Sequence, residues 1–178
     1  MTFKALIMDK DALMRALKRI SHEILEKNGG SENLCIVGIK SRGVPLAKII
    51  AANIKEIEGV ELQVGSLDIT MHRDDRKQDS QNAIVNSSDI PFSIAGKKVI
   101  MVDDVLYTGR TARAAMEALI ILGRPSAIQF AVLIDRGHRE LPIRGDYVGK
   151  NIPTSLSEEV LVKVPEFDND MSVCLYSK

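Results

Sequence analysis

The chain has 178 residues, 45% of them apolar and 27% charged, with 24 Lys plus Arg against 24 Asp plus Glu. That length suits one ordinary domain with a full core, and that apolar share excludes a disordered chain. Zero net charge excludes a globally basic nucleic-acid binder but leaves room for a local basic surface.

Ala5 to Met8 is too short an apolar stretch for a signal peptide, and no run is long enough to span a bilayer, so a reducing cytoplasm is expected. Asp9 is placed to cap a helix running to about Lys27, closed by Gly29 and Gly30. Leu13, Ala16, Leu17, Ile20 and Ile24 recur at helical spacing, with Arg15, Lys18, Arg19, His22 and Glu26 on the opposite side. Leu34 to Ile39 predicts a buried strand. It contains Cys35, which is far from Cys174 and in no C-x-x-C pair, so an inert buried thiol is expected. Ser41, Arg42 and Gly43 predict a turn, and Pro45 opens a helix to about Ile57. Leu62 to Ile69 predicts another strand. His72 to Asn82 is polar at every position and predicts a long exposed loop.

Lys98 to Val102 predicts a strand ending at Asp103 and Asp104, and Thr108 to Thr111 leads into a helix that ends near Leu122 at Gly123. Ile128 to Ile134 and Val160 to Val164 predict two later strands. Strands alternating with helices predict an α/β fold, a mostly parallel sheet with helices on both faces, in one domain over residues 1–178.

The segment Val99 to Thr111 carries the most chemistry. In doubly wound sheets, ligands bind at the carboxyl ends of the strands. Adjacent carboxylates there, Asp103 and Asp104, can accept hydrogen bonds from vicinal ribose hydroxyls. Thr108 to Thr111 offers hydroxyls and free N–H groups at a helix N-terminus, which is a phosphate cradle, and Gly109 lets the backbone approach the anion. A ribose with a 5′-phosphate satisfies both halves. By spacing alone, Ser41-Arg42-Gly43 suits either a pyrophosphate-holding turn or an ordinary strand-to-helix turn.

The run Val102 to Thr111 resembles the phosphoribosyl-pyrophosphate motif of type I phosphoribosyltransferases. With Gly123 to Ser126, Asp135 to Arg144 and Gly149 to Ser155, the resemblance narrows to the bifunctional PyrR family and extends from Asp9 to about Val164. It implies the type I phosphoribosyltransferase fold with a small hood over the base site. It implies uracil phosphoribosyltransferase activity and regulation of pyrimidine genes through leader mRNA, with UMP or UTP as the nucleotide. Phosphoribosyl pyrophosphate and UMP would be held by Ser41, Arg42, Asp103, Asp104, Val105, Leu106, Tyr107, Thr108, Gly109, Arg110 and Thr111. Asp104, Arg42 and Arg73 are the catalytic candidates, Arg73 in a polar lid. Arg136 and Val160 are the base-side candidates, although the residues alone favour reading Val160 as a core strand valine. Mg²⁺ is expected with phosphoribosyl pyrophosphate rather than in a cage made by the protein alone. Candidate RNA contacts are Arg15, Lys18, Arg19, His22 and Lys27, with His138, Arg139 and Arg144. A homo-oligomer, dimer or larger, is implied. Two other functions stay open: transfer to another base, and an RNA-binding regulator that keeps the site only as a nucleotide sensor.

Overall fold

A computed structural model describes residues 1–69 and 88–178. The lid candidate Arg73 and the polar stretch from His72 to Asn82 lie outside the described residues. The chain begins with strand β1 (Thr2–Met8), then α1 (Lys10–Asn28), β2 (Leu34–Ile39), α2 (Gly43–Glu58) and β3 (Gln63–Leu67). After the gap come β4 (Lys98–Leu106), α3 (Arg110–Leu122), β5 (Ala127–Asp135) and β6 (Tyr147–Asn151), followed by β7 (Glu158–Lys163), the short α4 (Pro165–Asp168) and β8 (Ser172–Ser177).

Five strands form a parallel sheet in the order β3-β2-β4-β5-β6. Successive side chains of a strand point to opposite faces, and both faces here are apolar. Leu34, Ile36, Ile100 and Val102 join α1 and α2 in one core cluster. Cys35, Val37, Val99 and Met101 face the other way and pack on Ala112, Ala115, Ala118 and Leu119 of α3. The expected helix on each face of a mostly parallel sheet is therefore what the chain builds. Asp9 caps α1 by accepting the Ala12 amide at 2.8 Å, and Gly29 ends it in the left-handed region at φ 67°.

A second, antiparallel sheet, β1-β8-β7, stands beside the first as the hood. Val160, Val162, Val173 and Leu175 extend the α1–α2 core cluster into it, so hood and main sheet share one apolar interior. The strand at 160–164 begins earlier than expected, at Glu158. The central strand β4 continues four residues past its expected end and carries both aspartates within it.

Candidate active site

The site forms where β2 and β4, neighbours at the middle of the sheet, both end. Two close approaches bring their loops together. A Cβ on Gly43 would lie 2.4 Å from the Val102 carbonyl oxygen, and one on Gly38 would lie 2.6 Å from the Val44 Cα. Only glycine allows α2 to start flush against the β4 backbone. The loop Lys40-Ser41-Arg42 therefore lies over the end of β4, and its Lys40–Ser41 peptide bond is cis.

A cavity of about 290 Å³ opens there, lined by Lys40, Ser41, Arg42, Ile69, Asp103, Asp104, Val105 and Thr111. The structure thus brings together six of the expected ligand-holding residues: Ser41, Arg42, Asp103, Asp104, Val105 and Thr111. Lys40 and Ile69 are additions. Lys40 directly precedes the expected turn, so its place was open to inference; Ile69 carries no chemical signal in the sequence. Leu106 differs from expectation. Its side chain is 2% exposed and belongs to the core against α3, so it offers a ligand only backbone.

Asp103 is buried, and its Oδ1 accepts the Asp104 amide at 2.9 Å. Asp104 Oδ1 accepts the Val105 amide at 2.8 Å. Burial, and then the adjacent Asp104 charge, push the Asp103 carboxyl well above the usual carboxylate range. Burial also raises Asp104, against the pull of the Val105 N–H and the Arg42 guanidinium. Two crowded carboxyls that resist full ionisation gain from hydroxyl donors or a cation brought by a ligand.

Beyond them, Tyr107, Thr108 and Gly109 turn the chain into α3. Gly109 sits at φ 92°, a left-handed conformation, as the helix N-cap. The Thr108 hydroxyl accepts the Arg110 amide at 3.4 Å, and no other side chain among the described residues caps the first turn of α3, so its remaining N–H groups and the exposed Thr111 can meet an anion beside the carboxylates. Arg110 points away and pairs with Glu140 at 2.7 Å.

The base-side candidates do structural work. Arg136 is 5% exposed. Its Nε donates to Thr154 Oγ1 (3.1 Å) and its Nη2 to the carbonyls of Ser155 (3.1 Å) and Glu158 (2.8 Å). The guanidinium also lies 4.2 Å from the centroid of the Tyr107 ring. Arg136 therefore clamps the approach to β7 to the Tyr107–Gly109 turn, a partnership the sequence gives no sign of. Val160 points into the core at 6% exposure, so only its backbone can meet a base; among the described residues β7 is an edge strand of its sheet.

The basic residues fall into two groups. Arg15, Lys18, Arg19, His22 and Lys27 are all exposed along one side of α1. Lys18 pairs with Glu56 (3.2 Å) and Lys27 with Asp146 (2.7 Å). Arg19 pairs with Glu23 (2.6 Å) and donates to the carbonyls of Val148 (3.2 Å) and Gly149 (2.5 Å). His138 approaches the Thr154 carbonyl at 2.5 Å, while Arg144 is exposed. Arg139 does not lie open. It donates to the carbonyls of Tyr107 and Ile143, each at 2.8 Å, and pairs with Asp135, bracing the segment after β5.

The chain is similar to known proteins over most of its length. The model of the phosphoribosyl transferase domain matches residues 6–166. The bifunctional protein PyrR of Caldicellulosiruptor saccharolyticus is 64% identical over 169 residues, covering 95% of this chain and 93% of that protein. The bifunctional protein PyrR of Bacillus subtilis is 56% identical over 178 residues, covering 99% and 98%. Among solved structures, a hypoxanthine phosphoribosyltransferase from Staphylococcus aureus superposes with a TM-score of 0.74 at 20% identity, covering 99% of this chain and 93% of that one. At that identity the likeness speaks for the fold alone. Family model, relatives and geometry agree: the chain belongs to the phosphoribosyltransferases, in the PyrR family.

Proposed function

We propose that the chain transfers ribose 5-phosphate from phosphoribosyl pyrophosphate to uracil, giving UMP and pyrophosphate, and that nucleotide in this site governs binding of pyrimidine-operon leader mRNA. The observation that carries the transferase reading is one cavity holding two carboxyls, Thr111 in the first turn of a helix and an arginine. Its three chemistries match the ribose hydroxyls, the 5′-phosphate and the pyrophosphate.

The bond from ribose C1 to the pyrophosphate oxygen breaks, the bond from C1 to uracil nitrogen forms, and the nitrogen's proton leaves to solvent or pyrophosphate. Charge develops on the ribose as in glycoside cleavage. No side chain need bond covalently to the sugar. Asp103 and Asp104 fix the ribose through its hydroxyls, and the N–H groups of α3 with Thr111 hold the phosphate. Arg42 stabilises the departing pyrophosphate, so catalysis is positioning and charge stabilisation. Mg²⁺ carried with phosphoribosyl pyrophosphate would neutralise leaving-group charge, and the Asp103–Asp104 pair is the acidic group in the cavity that suits it.

Hypoxanthine or guanine would use the same phosphate and ribose groups. Incubating the protein with phosphoribosyl pyrophosphate and each base in turn, and measuring released pyrophosphate, separates the readings. Release with uracil is expected; release with hypoxanthine or guanine alone overturns the assignment. The exposed basic side of α1 supports the RNA reading, since a chain of zero net charge must bind RNA through a local surface. A regulator that only senses nucleotide would bind UMP tightly and turn uracil over slowly. Titrating one preparation with UMP, GMP and a leader hairpin tests the second activity.

A further inference from the structure

The pyrophosphate loop is held from outside the motif. Arg42 leaves that loop and reaches the hood, where its Nη2 donates to Asp168 Oδ1 at 3.0 Å and Oδ2 at 3.2 Å. Its guanidinium also lies 5.8 Å from the centroid of the Phe167 ring. Asp168 is itself pinned. Its Oδ2 accepts the Val164 amide at 3.0 Å, and its own amide donates to the Val164 carbonyl at 2.9 Å. A guanidinium has five N–H donors in a rigid plane. Asp168 engages one nitrogen, and the Nε is buried with no hydrogen-bond partner among the described residues. The same side chain lines the cavity beside Asp104.

A long, flexible cation that must meet an anion loses rotamer freedom on binding, and a fixed partner that uses only one nitrogen removes that loss in advance. We propose that Asp168 is a positioning residue for the transfer reaction: it holds Arg42 by one terminal nitrogen and leaves the rest of the guanidinium set for the pyrophosphate of phosphoribosyl pyrophosphate. This rests on the transferase reading above. Asp168 lies outside the motif, on a four-residue helix between β7 and β8. The seating of the hood and the geometry of the leaving-group site are thus one arrangement. An ion pair this open contributes little to stability, so its removal leaves the fold standing.

The test is steady-state kinetics on the full chain, varying each substrate at saturating levels of the other. Asp168→Asn is expected to raise KM for phosphoribosyl pyrophosphate by about tenfold, the scale of one lost charge-assisted contact. KM for uracil and the melting temperature stay near wild type. Asp168→Glu, which keeps the charge, recovers part of the loss. In an Arg42→Gln background the Asp168→Asn change has no further effect, because its partner is gone. Overturning results are an unchanged phosphoribosyl-pyrophosphate KM in Asp168→Asn, or an undiminished effect in the Arg42→Gln background. If Asp168→Asn melts early, the Asp168→Glu and Arg42→Gln/Asp168→Glu pair decides by the same comparison. Wild type that fails to convert uracil sinks the parent reading and this one together; active wild type with an indifferent Asp168→Asn sinks this one alone.

Discussion

Asp103 and Asp104 set chemistry against stability within two residues. Both carboxyls are held above their ordinary range, chiefly by burial. The folded chain therefore keeps protons that the unfolded chain releases near pH ~3.9. Folding is favoured below that value and loses ground as pH rises toward the raised folded values. Asp103→Asn keeps an oxygen for the Asp104 amide and removes the charge. It should raise the melting temperature at pH 7 by a few degrees, at ~2–4 °C per kcal/mol for a chain of this size. Near pH 4 the gain should vanish, and a variant that melts no higher than wild type at pH 7 contradicts the burial cost. Asp104→Asn should lower uracil turnover by roughly 10²–10³ with the fold intact, the usual effect of deleting one site-specific stabilising group. Near-normal turnover would remove its ribose role. Gly109→Val and Thr111→Val should both weaken phosphoribosyl pyrophosphate and UMP in equilibrium titrations. The first forces a branched side chain to φ 92°, and the second deletes a hydroxyl at the anion site. If nucleotide affinity survives both changes, the phosphate is held elsewhere.

Among the elements, those buried on both faces were the legible ones. β2 runs from Leu34 to Ile39 as its unbroken apolar run predicts, and α1 runs between its cap and its glycines. β1 and β6 escaped notice because their exposure is mixed, and β8 because its apolar run, Val173 to Leu175, is only three residues long. Phe3 and Leu6 of β1 are exposed while Met8 is buried, so no clean period announces the strand. β4 continues beyond its apolar run because Asp103 and Asp104 stay in the ladder beside β5, and two carboxylates do not look like a strand interior. In the candidate site, the residues from Asp103 to Thr111 could be singled out because they are contiguous. The roles of Arg136, Arg139 and Asp168 were not, since which carbonyl or carboxylate an arginine meets is settled only by folding. Arg136 shows what this hides. Arg136→Met should strand the carbonyls of Ser155 and Glu158 and cost on the order of 2 kcal/mol or more. Thermal melting should fall by several degrees, and cleavage within residues 154–158 under limited proteolysis should speed up. A variant as stable and as resistant as wild type would show that the clamp carries no load.

At the scale of the molecule, the basic side of α1 and the cavity at the ends of β2 and β4 are separate features, and any regulation must link them. Nucleotide can change RNA affinity only by favouring a form that binds RNA differently. Arg15 is the sharper probe of the RNA surface. Arg19 also fastens α1 to β6 through the Val148 and Gly149 carbonyls, whereas Arg15 is exposed without a hydrogen bond or ion pair among the described residues. Titration of a pyrimidine-operon leader hairpin over a salt series should give Arg15→Ala a log–log slope flatter by roughly one unit. UMP should tighten binding by the wild type. Unaltered affinity and slope in Arg15→Ala would leave this side of α1 merely solvated, and no hairpin binding at all would leave the chain an enzyme only.

The pairing of β1 with β8, in which Thr2 lies opposite Ser177, has a consequence for synthesis. β1 is made before the other strands of both sheets, yet in its own sheet β8 separates it from β7, and β8 is made after all of them. At ~5–20 residues per second, β1 waits roughly ten seconds or more for β8, its one strand partner among the described residues. Through that interval Phe3 and Leu6 ride on an unpaired, aggregation-prone strand. The central strand β4 can meet β2 and β3 much earlier in translation. A nascent chain would therefore pair β2 with β4 well before its antiparallel sheet can close, and holding chaperones should engage β1 until β8 has emerged.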